Sequence, residues 1–251
     1  MNSNWIKADW PAPDFIKAGT TTRQRGKSTA PYASFNLATH VGDNLESVIQ
    51  NRNQVRTGLS LSNQPQWLEQ IHSTKVVLLP TNESLPKADA AYTTQKSVVC
   101  AVMTADCLPL LVTDTKGTCV AAIHAGWRGL ADGIIASTVK KLPVKSELLL
   151  VWLGPAIGPE VYEVGEEVYD AFTRMDEEAK QAFKPVIKPA SAKQHWLFDI
   201  YSMAKLQLGR LGIANVYGGN FCTFNEKEKF YSYRRDGVTG RMASLIWIDK
   251  N

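Results

Sequence analysis

The stretch VVCAVMTADCLPLLVTDTKGTCVAAIHAGWRG, residues 98–129, decides the fold class. It holds two strand-length apolar runs, Val98–Thr104 and Leu108–Thr113, separated by Ala105-Asp-Cys107. A third run, Thr118–Ile123, follows Asp114-Thr-Lys-Gly117, whose residue types suit a hairpin turn. The chain then enters Trp127–Leu142, where Leu130, Ile134, Thr138 and Leu142 recur at steps of four and Pro143 stops the pattern. That spacing predicts a helix with one apolar face. Strands feeding a helix in this way give a mixed α/β unit.

Working outward, Phe15–Thr21 reads as an early strand and is followed by a loop from Arg23 to Ser34. Asn44–Leu59 reads as a helix that Asn44 can cap, and Lys75–Leu79 as a short strand. Downstream, Glu147–Leu153 has the apolar continuity of a buried strand. Glu163–Met175 and Asp199–Leu211 read as amphipathic helices, and Phe230–Tyr233 and Ser244–Ile248 as closing strands. No composition break, linker or repeat divides the chain, so residues 1–251 are expected to form one α/β (α+β) domain.

Composition narrows the class further. An apolar fraction of 44% with 21% charged residues is that of a chain able to bury a substantial core. No run approaches the roughly 18 apolar residues of a membrane helix. The first residues lack the apolar centre of a secretion signal, and a cytoplasmic location without membrane contact is expected. The net charge of +4 is scattered and forms no basic stripe, which argues against nucleic acid as a partner. A small-molecule substrate is expected, with oligomeric state left open. Cys100, Cys107, Cys119 and Cys222 show no CxxC pairing, and disulfides are not expected. Cys100 and Cys119 lie inside apolar runs, where a small buried side chain is the ordinary reading.

Chemistry concentrates around the histidines, of which there are four: His40, His72, His124 and His195. His72 stands just before a strand, Cys107 at the break between two strands, and His124 at a strand end followed by Ala-Gly-Trp-Arg-Gly. One cysteine and two histidines are a set used by catalytic zinc ions, with a fourth position for water or substrate. Zinc there lowers the pKa of its water to about 7. A nucleophilic or merely buried Cys107 beside a histidine remains the alternative on spacing alone. A structural zinc site is a further alternative; a fourth ligand from Cys222 or His40 would favour it.

These motifs resemble those of the YfiH-type laccase-domain family. The resemblance rests on Thr104-Ala-Asp-Cys-Leu-Pro and His124-Ala-Gly-Trp-Arg-Gly. It continues through Asn36-Leu-Ala-Thr-His-Val-Gly-Asp, Gln70-Ile-His-Ser, Lys87-Ala-Asp-Ala and Trp152-Leu-Gly-Pro-Ala-Ile-Gly. Cys222-Thr and Phe230-Tyr-Ser-Tyr-Arg-Arg-Asp-Gly complete it, so that it spans Thr20 to Trp247. It implies a layered α-β-β-α sandwich with mixed sheets, and zinc bound by His72, Cys107 and His124.

The resemblance also implies three activities. One is purine nucleoside chemistry: phosphorolysis of adenosine, inosine, guanosine and S-methyl-5′-thioadenosine, with deamination of adenosine. Another is a peptidoglycan-editing amidase that removes L-Ser from UDP-MurNAc-L-Ser. The third is a copper-dependent polyphenol oxidase. Four histidines cannot furnish a conventional multicopper cluster, so copper is expected only as a substitute for zinc. Deamination suits a zinc-activated water attacking C6, with a carboxylate carrying protons. Asp106 and Asp89 are candidates for that carrier, each with a structural or supporting role as the alternative. Phosphorolysis needs an anion pocket, for which Arg23, Arg128 and Arg234 are candidates because guanidinium binds phosphate through a planar fork. Asn36 and His40 are candidates to line the purine or ribose pocket, whereas His195 is expected to be structural.

Overall fold

In the computed structural model, which describes residues 4–174, 176–187, 189 and 193–249, the apolar runs become strands stacked in layers. The chain begins with β1 (Trp5–Lys7), β2 (Ile16–Thr21), α1 (Leu45–Gly58), β3 (Val76–Leu78) and β4 (Ala90–Thr93). It continues through β5 (Val99–Thr104), β6 (Leu108–Asp114), β7 (Val120–Ala125), α2 (Trp127–Ala131), α3 (Ile134–Val139) and β8 (Leu149–Leu153). Then come β9 (Glu163–Val164), α4 (Glu166–Thr173), β10 (Phe183–Val186), β11 (His195–Phe198) and α5 (Ile200–Arg210). It ends with β12 (Asn215–Gly218), α6 (Tyr233–Asp236) and β13 (Met242–Ile248).

A four-stranded antiparallel sheet has the order β1-β2-β13-β5, and a six-stranded mixed sheet the order β12-β8-β6-β7-β4-β3. In the latter, β12–β8 and β3–β4 are parallel and the other pairs antiparallel. Successive side chains on a strand point to opposite faces, and this alternation builds the layers. From β5, Cys100 and Val102 turn inward to join Leu111, Ala122 and Trp152 of the six-stranded sheet. Val99, Ala101 and Met103 turn outward to Val55 of α1, Leu37 and Trp67. On the far side of the six-stranded sheet, Leu110, Val112, Ala121 and Ile123 meet Leu130, Ile134 and Ile135, together with Met203 and Leu208 of α5. The order is helix, sheet, sheet, helix, as expected. Each fully buried leucine or isoleucine in these layers contributes about 1.5–3 kcal/mol.

Local sequence explains the element boundaries. Asn44 Oδ1 accepts the Ser47 amide at 3.0 Å and starts α1, and Asp199 caps α5 through the Ser202 amide. The turn after β6 is held by Asp114, whose Oδ1 accepts the amides of Thr118 and Cys119. Three expectations change. The single helix over 127–142 is broken at Gly133, whose φ of 92° leaves the helical region, and becomes α2 and α3. Residues 230–233 are not a strand: Phe230 and Tyr231 bury into a small separate cluster, and Ser232 caps α6 by accepting the Arg235 amide. The helix expected from Glu163 begins at Glu166, because Glu163 and Val164 pair with β11; its expected last residue, Met175, lies outside the described residues. Among the described residues, no helix is long and apolar enough to cross a membrane.

Candidate active site

The break between β5 and β6 is where the chain passes from the four-stranded to the six-stranded sheet, and Cys107 sits at the end of that crossing. Asp106 before it takes a φ of 88°, a conformation that asparagine and aspartate tolerate better than most residues. Its carboxylate is buried. Oδ1 accepts the Thr223 hydroxyl at 2.6 Å, and Oδ2 accepts the Ser232 hydroxyl and the Arg234 amide. Asp106 thus ties the crossing to Thr223 and to the start of α6.

His124 lies in β7 opposite Pro109 of β6, and His72 lies in the turn that leads to β3, with φ 58°. One fully buried carboxylate, Asp89, serves both. It accepts the amides of His72 and Ser73 and the Ser73 hydroxyl, and its Oδ1 stands 2.8 Å from Nδ1 of His124. Because a carboxylate only accepts, the proton is on Nδ1, which leaves Nε2 of His124 as the metal-facing nitrogen. Burial opposes the Asp89 charge, but the His124 and Ser73 bonds outweigh it and hold the carboxyl at about 2.

His72, Cys107 and His124 come together with their ligand atoms within 4.8 Å of one another. Cys107 Sγ is 3.9 Å from His72 Nε2, and the two imidazoles meet edge to face with centroids 4.8 Å apart. Gly126 makes the approach feasible: a Cβ there would lie 2.6 Å from the His72 ring and 3.2 Å from Cys107 Sγ. Burial disfavours the Cys107 thiolate, yet the charge and hydrogen bond of His124, reinforced by His72, lower the thiol well below its ordinary range. His124 is raised in turn, burial being overcome by Cys107 and Asp89. Thiolate is the form of cysteine that ligates metal. A sulfur and two imidazole nitrogens, with the histidine proton fixed by a carboxylate, form a donor set that fits a zinc-type ion.

The cluster opens on a cavity of about 370 Å³, lined also by His40, Gln70, Met103, Thr104, Ala105, Tyr233 and Arg241. His40, a candidate for the purine or ribose pocket, lines this cavity, and its pKa is lowered by burial and by Arg241 and Arg52. Asn36 does not line the cavity. Its buried amide bonds Ala38, Asp43 and the Arg241 backbone, so it shapes the loop beneath Arg241. Arg23 lies on another groove, bonded to the Ala33 and Lys227 carbonyls. Arg234 donates to the Glu163 carbonyl and covers Tyr162, and exposed Arg128 covers Trp127 and reaches Glu167 at 3.5 Å. None of these three arginines lines the cavity.

His195 pairs with Glu163 away from the cluster, and Cys222 Sγ accepts the Gly158 amide. Neither joins the His/Cys/His group, which has three members among the described residues. Sequence reasoning missed Arg241, Tyr233 and Thr104 as cavity residues. Thr104 and Tyr233 stand in quoted motifs without a chemical signature of their own; Arg241, in Gly240-Arg-Met, carries no pattern that marks it.

A profile of the family described as "Multi-copper polyphenol oxidoreductase laccase" matches residues 17–249. Among curated relatives, a protein named purine nucleoside phosphorylase from Haemophilus influenzae is 51% identical over 244 residues, covering 97% of this chain and 99% of that one. The Escherichia coli protein named purine nucleoside phosphorylase YfiH is 45% identical over 247 residues, covering 98% and 99%. Among solved structures, a Neisseria meningitidis protein of 47% identity superposes with a TM-score of 0.91, covering 99% of this chain and 100% of that one. YlmD from Geobacillus stearothermophilus, 29% identical, gives 0.86 with 100% and 98% covered.

Proposed function

The chain belongs to the family described as multi-copper polyphenol oxidoreductase laccase, and from that membership we propose that it is a zinc-dependent purine nucleoside phosphorylase that also deaminates adenosine. Its substrates in this reading are adenosine, inosine, guanosine and S-methyl-5′-thioadenosine. The observation that carries the reading is a three-ligand His/Cys/His cluster opening on a cavity, in a chain whose full-length relatives bear the phosphorylase name. Three ligands beside a cavity favour catalysis over a structural ion, which ordinarily has four protein ligands. With four histidines in the chain, a multicopper cluster is not supported.

His72, Cys107 and His124 would hold the ion, which when bound supplies Lewis-acid polarisation and lowers the pKa of water. The residues around it do the positioning. Asp89 keeps the His124 proton on Nδ1 and anchors the turn that carries His72. Met103 and Tyr233 offer the cavity an apolar and an aromatic surface, suited to the face of a purine. His40, biased to its neutral form by burial and by two arginines, has one nitrogen able to donate and one able to accept, as ribose hydroxyls and purine edges require. Asp106 acts by holding Arg234 and the base of α6, not on substrate. In phosphorolysis a phosphate oxygen bonds to C1′ as the C1′–N bond breaks, and the purine departs with the bonding pair and takes up a proton. In deamination, water replaces the C6 amino group and ammonia leaves.

Purified protein should convert adenosine and phosphate to adenine and ribose 1-phosphate, and adenosine alone to inosine and ammonia. Cys107→Ala should abolish both conversions while leaving the fold intact by circular dichroism. Nucleoside turnover that survives this substitution would reject the reading in favour of a contaminating enzyme.

A further inference from the structure

The wall that the four-stranded sheet gives to the cavity carries one guanidinium with an unmet hydrogen-bonding edge. Thr104, at the end of β5, lines that wall, but its hydroxyl is sealed from solvent and has no hydrogen-bond partner among the described residues. Its ladder partner is Met242, so Arg241 is the next residue along the neighbouring strand end. Arg241 spends Nη1 on the Thr239 and Gly240 carbonyls, at 2.9 and 3.0 Å. Its Nε and Nη2 make no hydrogen bond to the described residues, and it forms no ion pair with them. The Cys107 and Asp106 charges bear on it, but neither is hydrogen-bonded to it, and both Asp106 oxygens are already bonded to Thr223, Ser232 and Arg234.

A second cation stands nearby. Arg52 covers Trp67, donates to the Leu37 carbonyl and likewise has no ion pair among the described residues. Burial first, then the charges of Arg241 and Arg52, lower the pKa of His40 on this wall. Half-buried cations without carboxylate partners favour an anionic neighbour.

We propose that Arg241 forms an oxyanion seat in the cavity, with its free Nε–Nη2 edge donating to a tetrahedral phosphate. The occupant, inorganic phosphate, rests on the phosphorylase reading; the seat itself does not. Arg23, Arg128 and Arg234 are bound elsewhere, so the seat draws on a residue outside the recognised motifs.

Calorimetric titration of the metal-loaded protein with inorganic phosphate tests the seat. Arg241→Met should weaken phosphate by at least about tenfold, the scale of losing a charge-assisted fork. Arg241→Lys should fall between it and the wild type, because an ammonium keeps the charge but not the fork. Phosphate affinity within twofold of the wild type in Arg241→Met overturns the proposal, as does a wild type that binds no phosphate. A second measurement avoids substitution: phosphate should slow phenylglyoxal modification of Arg241, read by peptide mapping, and an equal rate with and without phosphate also overturns it. Titration with adenosine monophosphate separates the sources. If Arg241→Met weakens the nucleotide and leaves inorganic phosphate unchanged, the seat takes a substrate-borne phosphate and the assignment to free phosphate is wrong. If phosphate binding depends on Arg241 but the wild type cleaves no nucleoside, the seat stands and the phosphorylase reading fails.

Discussion

Asp89 and His124 are joined twice: the carboxylate stands 2.8 Å from the imidazole Nδ1, and the Asp89 carbonyl accepts the His124 amide at 2.7 Å. Side chain and backbone of one residue therefore fix the position and the tautomer of the other. The same carboxylate accepts the His72 amide, so one buried charge aligns two prospective ligands from different segments.

Asp89→Asn should therefore weaken metal binding by about 10–100-fold, the usual effect of removing a partner behind a ligating histidine. Competition against a chromophoric chelator measures this directly. An unchanged affinity would show that the carboxylate does not orient the ligands.

Gly126→Ala places a methyl group 2.6 Å from the His72 ring and 3.2 Å from Cys107 Sγ. The backbone itself tolerates the change, since φ is −65°. Overpacking of this kind costs about 1–3 kcal/mol. The expected signature is metal loss with a modest fall in thermal midpoint. Full metal content in the variant would contradict the crowding argument.

Asp114 governs a pH effect far from the cavity. Burial opposes its charge, but the Cys119, Thr118 and Lys116 amides and the Thr118 hydroxyl outweigh it and lower its pKa. A carboxyl depressed by folding stabilises the native state above its unfolded pKa of about 3.9, and that stability is lost as pH falls through the lower folded value. Asp114→Asn should cost about 1–2 kcal/mol at pH 7, on the scale of lost charged hydrogen bonds. In urea unfolding series, the gap from wild type should close as pH drops below about 4. A gap that stays constant with pH would mean the charge is not the stabilising element.

Gly133→Ala should destabilise by about 1 kcal/mol, because φ of 92° is costly for a residue with a Cβ. Gly133→Asn should cost less, as asparagine visits that region more readily. No atom lies within 4 Å of the added Cβ, so crowding does not enter. Equal midpoints for glycine and alanine in thermal melts would rule out a conformational origin for the break between α2 and α3.

The strands and layers were legible where side chains follow a single rule. Val99–Thr104 and Leu108–Asp114 are long enough for their apolar character to outweigh local effects, and Asn44 and Asp199 announce helix starts chemically. Short pieces such as Trp5–Lys7, Ala90–Thr93 and Asn215–Gly218 owe their conformation to a neighbouring strand, and three or four residues carry no period of their own. The metal-type cluster was legible through its motifs. Arg241 was not, because an arginine before a strand looks like any solvated arginine until its neighbours are known. Asn36 shows the reverse: it stands in a recognisable motif, yet its amide is consumed by the backbone that presents Arg241.

The crossing at Ala105-Asp-Cys107 has a genetic consequence. His124 lies in the six-stranded sheet, and Cys107 and His72 lie in the segments that lead into its β6 and β3, whereas Thr104 ends β5 of the four-stranded sheet and Arg241 leads into its β13. Metal loading depends on the internal order of one layer; a reaction that draws on both walls depends on how the two are aligned. Substitutions in the apolar seam between them, at Val102, Leu111 or Ile246, change that alignment without touching a ligand. Turnover and metal content are therefore separable traits, and variants that keep their ion but lose their rate should map to this seam.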